Sequence, residues 1–323
     1  MFPSKTVKKG VAEFFEQSSI VANAYHGSRL KWLLSMFYCL LRYGARPIDY
    51  VRFEFHKKSA TERGRYLTFY KYFRLLNKFG HSEKSVNGKI AEYQTFRNYI
   101  HRNWMVVGAQ TPKESVLNFV AVEKEVFAKP NFGDQGHGIL RITNGEQAKV
   151  DDLLALSSKS PFVLEGRIVN DDRIAQLNPT SLNTVRAYTL ILNDGSVEIL
   201  AMMLRVGKVG AFVDNWGSGG VGYNIDLDSG VVVDYGLDKL NHPYIFHPGS
   251  GVQMIGFQLP EFERLKSLVI ELSKIVPKAR FVGWDLAITT SGYELVEMNC
   301  PGGHDFLQAF GMPFGDLLKK ELT

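Results

Sequence analysis

Cysteine is scarce in this sequence, which has only Cys39 and Cys300 among its 323 residues. Two cysteines could form one disulfide, but they cannot form the framework that stabilises small secreted proteins. The sequence therefore favours a protein of the reducing cytoplasm. Hydrophobic residues make up 45% and charged residues 22% of the chain, a balance typical of a soluble globular protein with one large domain or two ordinary ones.

Long apolar segments are also missing. The longest apolar run, residues 32–41, has about ten residues, whereas a membrane-spanning helix needs roughly 20. Acidic residues follow the first ten positions, so we expect no secretory signal there. We interpret the apolar run as a buried helix. A helix lying on a membrane surface is the alternative, because Arg29, Lys31 and Arg42 flank the run.

Negative charge is sparse in the first third of the chain. Residues 1–100 carry a net charge of +11, whereas the remainder carries −6. A basic N-terminal region is typical of proteins that bind an acidic partner, such as anionic lipid, nucleic acid or an acidic glycan. A solvated helical surface explains the same charges equally well.

The apolar pattern changes near residue 106. Residues 1–105 are predicted to form a mainly helical N-terminal region, and residues 106–323 an α+β body in which short apolar runs alternate with turns. The pattern predicts strands near residues 126–128, 162–164, 187–192 and 199–204, a hairpin turn at 193–196, and an amphipathic helix over 261–275.

A glycine-rich loop follows Lys129, which ends a predicted strand. Residues 131–139 include three glycines, and glycine permits close approach of the backbone to a ligand, where successive N–H groups can bind an anion. The Gly-Lys-Ser/Thr ending of a P-loop is absent, and a strand rather than a helix follows, which excludes the dinucleotide-binding fingerprint. The loop is therefore a candidate phosphate site. A plain glycine-rich hairpin is the alternative.

A second hairpin is predicted over residues 283–299. A three-residue loop at 290–292 would place Asp285 opposite Glu297, with Asn299 on the same face as Glu297. The side chains expected to face the core are Leu286, Ile288, Val296 and Met298.

The two acids of this hairpin predict a metal site. Directly opposed carboxylates repel each other, and burial makes the repulsion worse unless a cation lies between them. Two carboxylates and an amide oxygen, beside a phosphate, are ligands that Mg²⁺ favours. An exposed hairpin with two unrelated acids is the alternative.

Two arginines, Arg186 and Arg205, are expected in or near adjoining strands between these segments. Charged residues at such positions are rarely buried without partners, and arginine can bind phosphate or carboxylate oxygens in bidentate fashion. The polar loop 213–220 follows. It either closes over a substrate or is a surface loop.

Together these segments resemble the ATP-grasp superfamily, and more closely its sugar-transfer-associated branch. The resemblance implies an ATP-grasp fold of class α+β, in which two α+β subdomains clamp ATP, preceded by the helical region. The lid subdomain would cover about residues 106–164 and the metal-binding subdomain about 165–323. The segments that carry the resemblance are residues 127–130 with the glycine loop, 181–186, 213–215 with 219–220, and 283–285 with 297–299.

The resemblance also implies which residues bind ATP. Lys129 matches the phosphate-binding lysine, Glu165 the acid near adenine, and Lys89 an upstream lysine that contacts nucleotide. Relatives often carry glutamine where this sequence has Leu164, so adenine recognition would rely more on backbone groups. The glycine loop matches the lid over the phosphates, with Gly133, Gln135, Gly136, His137 and Gly138.

The remaining site residues follow in the same way. Arg186 and Arg205 match the catalytic positions that hold the γ-phosphate and acyl phosphate. The metal ligands match Asp285, Glu297 and Asn299. The expected substrate contacts are Asp214, Asn215, Gly219, Gly220 and His304. For His304, an ordinary surface histidine is the alternative.

The implied activity is that of an ATP- and Mg²⁺-dependent carboxylate–amine ligase, which forms an amide bond through an acyl phosphate. Its substrates would be a small carboxylate and an amine, linking an amino acid or amine to a sugar in surface polysaccharide biosynthesis. A kinase of the same fold and a non-catalytic nucleotide-binding or scaffolding protein remain alternatives. We expect an acidic glycan or the inner membrane face as a weak partner of this cytoplasmic protein, and no nucleic acid.

Overall fold

The computed structural model describes residues 4–25, 27–79, 86–133, 138–208, 210, 214, 216 and 219–322, and only the backbone of residues 4–11 and 77. The N-terminal region is helical, as the sequence predicts. Its helices are α1 (Ser4–Tyr25), α2 (Arg29–Tyr43), α3 (Pro47–Arg52), α4 (Ala60–Arg65), α5 (Phe69–Leu75) and α6 (Lys89–Thr95).

One face of α2 forms the centre of the N-terminal helical core. Trp32, Met36, Cys39 and Tyr43 are buried there at helical spacing, together with Tyr50 of α3. The opposite face of α2 is exposed, so the interpretation of residues 32–41 as a buried helix is right for only one face.

A buried carboxylate fixes the entry to α3. Asp49 accepts hydrogen bonds from the backbone N–H groups of Arg46 and Phe69, each at 3.0 Å. The first of these caps α3, and the second ties α5 to it. None of the helices within the described residues is both long enough and apolar enough to cross a membrane.

A four-stranded antiparallel sheet follows, with the order β1-β4-β2-β3. The predicted strands near 126–128 and 162–164 are confirmed, and the sheet begins at Trp104, close to the expected boundary. Two helices, α7 (Lys113–Glu123) and α8 (Gln147–Ser157), pack against it. The strands are β1 (Trp104–Val107), β2 (Glu125–Pro130), β3 (Leu140–Thr143) and β4 (Phe162–Gly166).

A seven-stranded sheet completes the body, with the order β11-β10-β5-β6-β7-β8-β9. The amphipathic helix is confirmed as α10 (Phe262–Ile275), which buries Phe262, Leu265, Val269 and Leu272 on this sheet. The remaining helices are α9 (Asp172–Ala175), α11 (Phe306–Ala309) and α12 (Gly315–Leu322). The strands are β5 (Thr184–Ile191), β6 (Val197–Val206), β7 (Val221–Ile225), β8 (Gly236–Leu237), β9 (Pro243–Tyr244), β10 (Phe281–Thr289) and β11 (Gly292–Asn299).

His56 lies among aromatic rings between the N-terminal helices. Its ring centroid is 4.1 Å from that of Tyr25 and 6.2 Å from those of Trp32 and Tyr50. Neither ring nitrogen has a hydrogen-bond partner among the described residues. Burial lowers the pKa of His56 from 6.5 to about 4, although the charge of Glu54 opposes this.

The stability of the N-terminal helices should therefore depend on pH. Between pH 6.5 and 4 the unfolded chain binds a proton at His56 that the folded chain does not, so the free energy of unfolding falls as the pH falls. We expect a loss on the order of 1–2 kcal/mol, measured by urea denaturation across this range. His56→Phe should abolish this loss, whereas His101→Gln, at an exposed histidine, should keep it. An unchanged slope in His56→Phe contradicts the assignment.

Candidate active site

A cavity of about 590 Å³ lies between the two sheets. This volume is typical of a site for a small ligand. Strands β2, β3 and β4 line one side, and β5, β6, β10 and β11 line the other. The lining therefore combines polar residues from distant parts of the chain.

Most of the site residues predicted from the sequence meet in this cavity. Gly138, Gly219, Gly220 and His304 are described but do not line it. Gln135, Gly136, His137 and Asn215 lie outside the described residues. The predicted residues that line the cavity are Lys89, Lys129, Gly133, Glu165, Arg186, Arg205, Asp214, Asp285, Glu297 and Asn299.

The hairpin of β10 and β11 places Asp285 opposite Glu297 as predicted, but the register of its two strands differs from the predicted one. The turn has two residues rather than three, and Thr289 pairs with Gly292, whose φ of 110° requires glycine. An extra residue, Val296, then bulges from β11 and restores the pairing of Asp285 with Glu297. Val296 consequently lines the cavity and does not face the core as predicted.

Two arginines bind the side chain of Asp285. One of them, Arg186, is also directly opposite Asp285 in the register of the neighbouring strands β10 and β5. Arg186 binds both carboxylate oxygens, with Nη2 at 2.8 Å from Oδ2. Arg205 reaches the same Oδ2 at 3.2 Å, and Asn299 Nδ2 donates to it at 3.3 Å. Burial raises the pKa of Asp285, but the two guanidinium groups outweigh burial and lower it below its usual value.

Asp214 positions Arg205 from the other side. Its Oδ1 lies 3.2 Å from Arg205 Nη2, and its Oδ2 accepts a hydrogen bond of 2.8 Å from the backbone N–H of Thr184. Burial raises the pKa of Asp214, and Asp285 adds to this, although Arg205 opposes it. The two arginines and two acids therefore form one buried network on the floor of the cavity.

Lys89 binds the second acid of the hairpin, Glu297. Burial lowers the pKa of Lys89, but Glu297 and Glu92 raise it above its usual value. The lysine begins α6, whose N-terminus meets the glycine loop: Lys89 N–H donates to the carbonyl of Asn131 at 2.9 Å. A side chain in place of Gly88 would lie 2.8 Å from Asn131 Oδ1, so glycine is needed at this contact.

The donor set of the hairpin fits Mg²⁺ in chemistry. Asp285, Glu297 and Asn299 offer two carboxylates and an amide on one cavity wall, and hard oxygen donors are what Mg²⁺ prefers. Both acids are already matched with cationic side chains. Within the described ranges, no group of three or more His, Cys, Asp or Glu side chains could hold a metal ion. A bound ion would therefore need donors from its ligand as well.

Glu165 holds the lysine next to the glycine loop. Its carboxylate is buried and is bound by Lys129 at 2.6 Å, by Arg102 Nε at 2.8 Å and by the hydroxyl of Tyr93. Burial raises the pKa of Glu165, but Arg102 and Lys129 outweigh it and lower the pKa to about 2. These bonds give Glu165 a role in fixing Lys129; Glu165 also lines the cavity, and its role beside adenine stays a prediction.

Arg102, which sequence reasoning missed, joins the two sheets beside the cavity. Its Nε binds Glu165 of β4, while its Nη1 binds Glu294 at 2.7 Å and the carbonyl of Leu295 at 2.9 Å, both in β11. The three charged side chains are at most 5% exposed. No sequence motif surrounds Arg102, and its partners lie 63 and 192 residues away.

The N-terminal helices reach the segment that follows β11. Arg52 of α3 forms an ion pair with Asp305 and lies 4.7 Å from the ring of Trp216. His304 stacks on Tyr72 with ring centroids 4.9 Å apart. This buried position does not support the predicted substrate contact by His304.

Arg102→Gln should destabilise the protein strongly. The substitution leaves the carboxylates of Glu165 and Glu294 buried without their shared cation, which costs about 3–5 kcal/mol in comparable cases. Arg102→Lys should lower the free energy of unfolding by a smaller amount, because lysine keeps the charge but cannot bind both carboxylates with the planar geometry of arginine. Chemical denaturation measures the free energy of unfolding of each variant.

The matched control is Arg173→Gln, which breaks an exposed ion pair with Asp171. Exposed pairs contribute less than about 1 kcal/mol. If Arg102→Gln costs no more than this control, Arg102 does not hold the two sheets together.

A comparison with protein families identifies the family of this chain. The family model described as sugar-transfer associated ATP-grasp matches residues 99–322, well over half of the chain. No curated protein matches this sequence.

Several solved structures are similar in fold at low sequence identity. The D-alanyl-alanine synthetase A of Vibrio cholerae O1 biovar eltor is 14% identical, with 73% of this chain covering 64% of that chain and a TM-score of 0.49. The D-alanine-D-alanine ligase of Coxiella burnetii is 11% identical, with 73% covering 56% and a TM-score of 0.46. A RimK domain ATP-grasp protein of Sphaerobacter thermophilus is 10% identical, with 75% covering 70% and a TM-score of 0.46.

The chain thus spans less than two thirds of the length of either of these D-alanine ligases. The family model, which includes every residue of the cavity except Lys89, carries the assignment. The chain belongs to the sugar-transfer-associated ATP-grasp family.

Proposed function

We propose that this protein is an ATP- and Mg²⁺-dependent ligase that activates a carboxylate as an acyl phosphate and transfers the acyl group to an amine. One observation carries the proposal: a single cavity unites Lys129 beside the glycine loop, the acids Asp285 and Glu297, and the arginines Arg186 and Arg205. Phosphoryl transfer needs positively charged groups around the phosphates and a means of orienting the attacking oxygen.

Lys129, Pro130 and Gly133 form the phosphate side of the cavity. Glu165 binds the ammonium group of Lys129 and keeps it at the cavity wall. Because the oxygens of Glu165 are bound by protein cations and by Tyr93, adenine recognition falls to the apolar wall and to backbone groups. The apolar side chains that line the cavity here are Phe127, Ile139, Ile168 and Val169.

Asp285, Glu297 and Asn299 would hold Mg²⁺, which when bound offsets negative charge on the β- and γ-phosphates. Lys89 binds and orients Glu297 in the absence of nucleotide. Arg186 and Arg205 bind Asp285 and lower its pKa although burial raises it, and Asn299 donates a hydrogen bond to the same carboxylate. The protein thereby keeps the buried Asp285 ionised.

The chemistry then needs no covalent enzyme nucleophile. A substrate carboxylate oxygen attacks the γ-phosphorus, the bond to ADP breaks, and an acyl phosphate forms. The amine attacks the acyl carbon, phosphate leaves, and the amine nitrogen loses a proton to solvent. In this proposal Arg205, oriented by Asp214 at 3.2 Å, stabilises the oxyanion of the second step, and Arg186 stabilises the transferred phosphoryl group.

The substrate class is also part of the proposal. The family is described by its association with sugar transfer, which supports an amino acid or amine linked to a sugar in surface polysaccharide biosynthesis. The arginines of the cavity could bind the carboxylate of an acidic sugar or of another substrate.

Product analysis tests the reaction type. With ATP, Mg²⁺, a carboxylate and an amine, a ligase releases ADP, free phosphate and amide in equal amounts. A kinase releases ADP and a phosphate ester without free phosphate, and a non-catalytic protein releases no ADP above background. Either of the last two results contradicts the proposal.

Asp285→Asn and Glu297→Gln should each lower kcat by roughly 100-fold or more, since each removes a charge on which phosphoryl transfer depends. Asp228→Asn and Glu263→Gln change exposed acids outside the cavity and should leave kcat unchanged. Turnover by both hairpin variants at the level of these controls would show that the metal assignment is wrong.

Lys129→Gln should weaken binding of an ATP analogue by about tenfold, because it removes one charge–phosphate contact. Isothermal titration calorimetry measures this without knowledge of the acceptor substrates. Lys159→Gln, at an exposed lysine, is the control. Equal affinities for the two variants would exclude Lys129 from the phosphate site.

A further inference from the structure

Helix α2 has two apolar faces, and in the part of the chain that the structure describes only one of them is buried. The face with Trp32, Met36 and Cys39 packs into the N-terminal core. A helix on the surface of a globular protein normally has one apolar stripe and a polar opposite face. Here the opposite face carries a second stripe, the exposed α2 stripe: Leu30 (64% exposed), Leu34 (62%), Phe37 (53%), Tyr38 (51%) and Leu41 (72%).

The stripe follows helical spacing along the whole of α2. Residues 30, 34, 37, 38 and 41 lie one above another on one side of the helix, which extends over about 22 Å at 15 residues. Tyr70 of α5 is also exposed and lies at the C-terminal end of α2. The backbone N–H of Tyr70 donates there to the carbonyl of Gly44 at 3.1 Å. Contiguous exposed apolar surface of this kind marks an interaction site.

The charge around the stripe has one sign. From residue 17 to residue 48 the sequence contains no Asp or Glu, whereas Arg29, Lys31 and Arg42 are exposed at the two ends of α2. The ammonium group of Lys31 lies 4.7 Å from the ring of Trp32, and the guanidinium of Arg42 lies 5.7 Å from that of Tyr43. Lys31 and Arg42 thus border the buried face of α2 at its two ends, and both residues remain exposed.

This combination fits a lipid surface better than a second copy of the chain. A two-fold axis would bring the basic ends of two α2 helices together in either a parallel or an antiparallel arrangement, and no acidic residue of this segment could compensate. An anionic bilayer surface offers acyl chains to the stripe and phosphate groups to the basic ends. Aromatic residues such as Tyr38 and Phe37 are favoured at this depth.

We propose that the exposed α2 stripe binds the surface of an anionic phospholipid bilayer, with α2 lying in the plane of the headgroups. The apolar run is too short to cross the bilayer, and its helix already buries its other face in the protein. The binding is peripheral and depends on both the apolar side chains and the basic ends. The proposal is independent of the catalytic assignment.

Sedimentation of the full chain with lipid vesicles tests the proposal. We expect the protein to bind vesicles that contain phosphatidylglycerol more tightly than vesicles of phosphatidylcholine alone, and less tightly as salt is raised. The double variant Leu34→Gln/Leu41→Gln should bind at least about tenfold more weakly, because it removes two apolar contacts. Lys31→Gln/Arg42→Gln should bind roughly tenfold more weakly and lose most of the salt dependence.

Val122→Gln is the matched control, because Val122 is 73% exposed on α7, outside α2. It should bind vesicles like the wild type. Near-ultraviolet circular dichroism checks that the variants keep their fold, which is expected because every substituted side chain is exposed. The proposal is overturned if the wild type does not bind anionic vesicles, or if Leu34→Gln/Leu41→Gln binds them equally well. A wild-type dimer that this double variant dissociates, without vesicle binding, assigns the stripe to a second copy instead.

Discussion

A single buried guanidinium group, that of Arg102, joins the two sheets between which the cavity lies. Its carboxylate partners, Glu165 and Glu294, belong to different sheets, and each would be costly to bury without a cation. The planar guanidinium group, which binds Glu165 through Nε and Glu294 through Nη1, fixes the distance between β4 and β11 at this edge. The placement of Lys129 depends on this contact, because Glu165 binds both cations at once.

The charges of the cavity are nearly balanced without a ligand. Six basic and five acidic side chains of the described residues line it, and both acids of the hairpin are bound by cations, Glu297 by Lys89 and Asp285 by Arg186 and Arg205. A triphosphate would add several negative charges to this network, so a divalent cation that joins it with the nucleotide restores the balance. The same arrangement explains why Asp285 stays charged although burial favours its neutral form.

Local rules predicted strands β2, β4, β5, β6, β10 and β11, the amphipathic α10 and the pairing of Asp285 with Glu297 from the sequence, but not β1, β7, β8 or β9. The pairing of Asp285 with Glu297 was predicted correctly from a wrong register, because the observed turn is one residue shorter and the bulge at Val296 compensates for it. Bulges leave no reliable local signal in a sequence. The partners of Arg102 and Lys89 could not be predicted, since they lie up to 208 residues away. Periodicity likewise showed that α2 is apolar, but not that the side chains of the exposed α2 stripe remain accessible among the described residues.

The most direct measurement is a crystal structure of the protein with Mg²⁺ and a non-hydrolysable ATP analogue. The account predicts that the phosphates contact Lys129 inside the cavity, with the ion bound by Asp285 and Glu297 and with Lys89 displaced from Glu297. A nucleotide bound outside the cavity, or acids that keep their present partners while the nucleotide is bound without a metal ion, would contradict it.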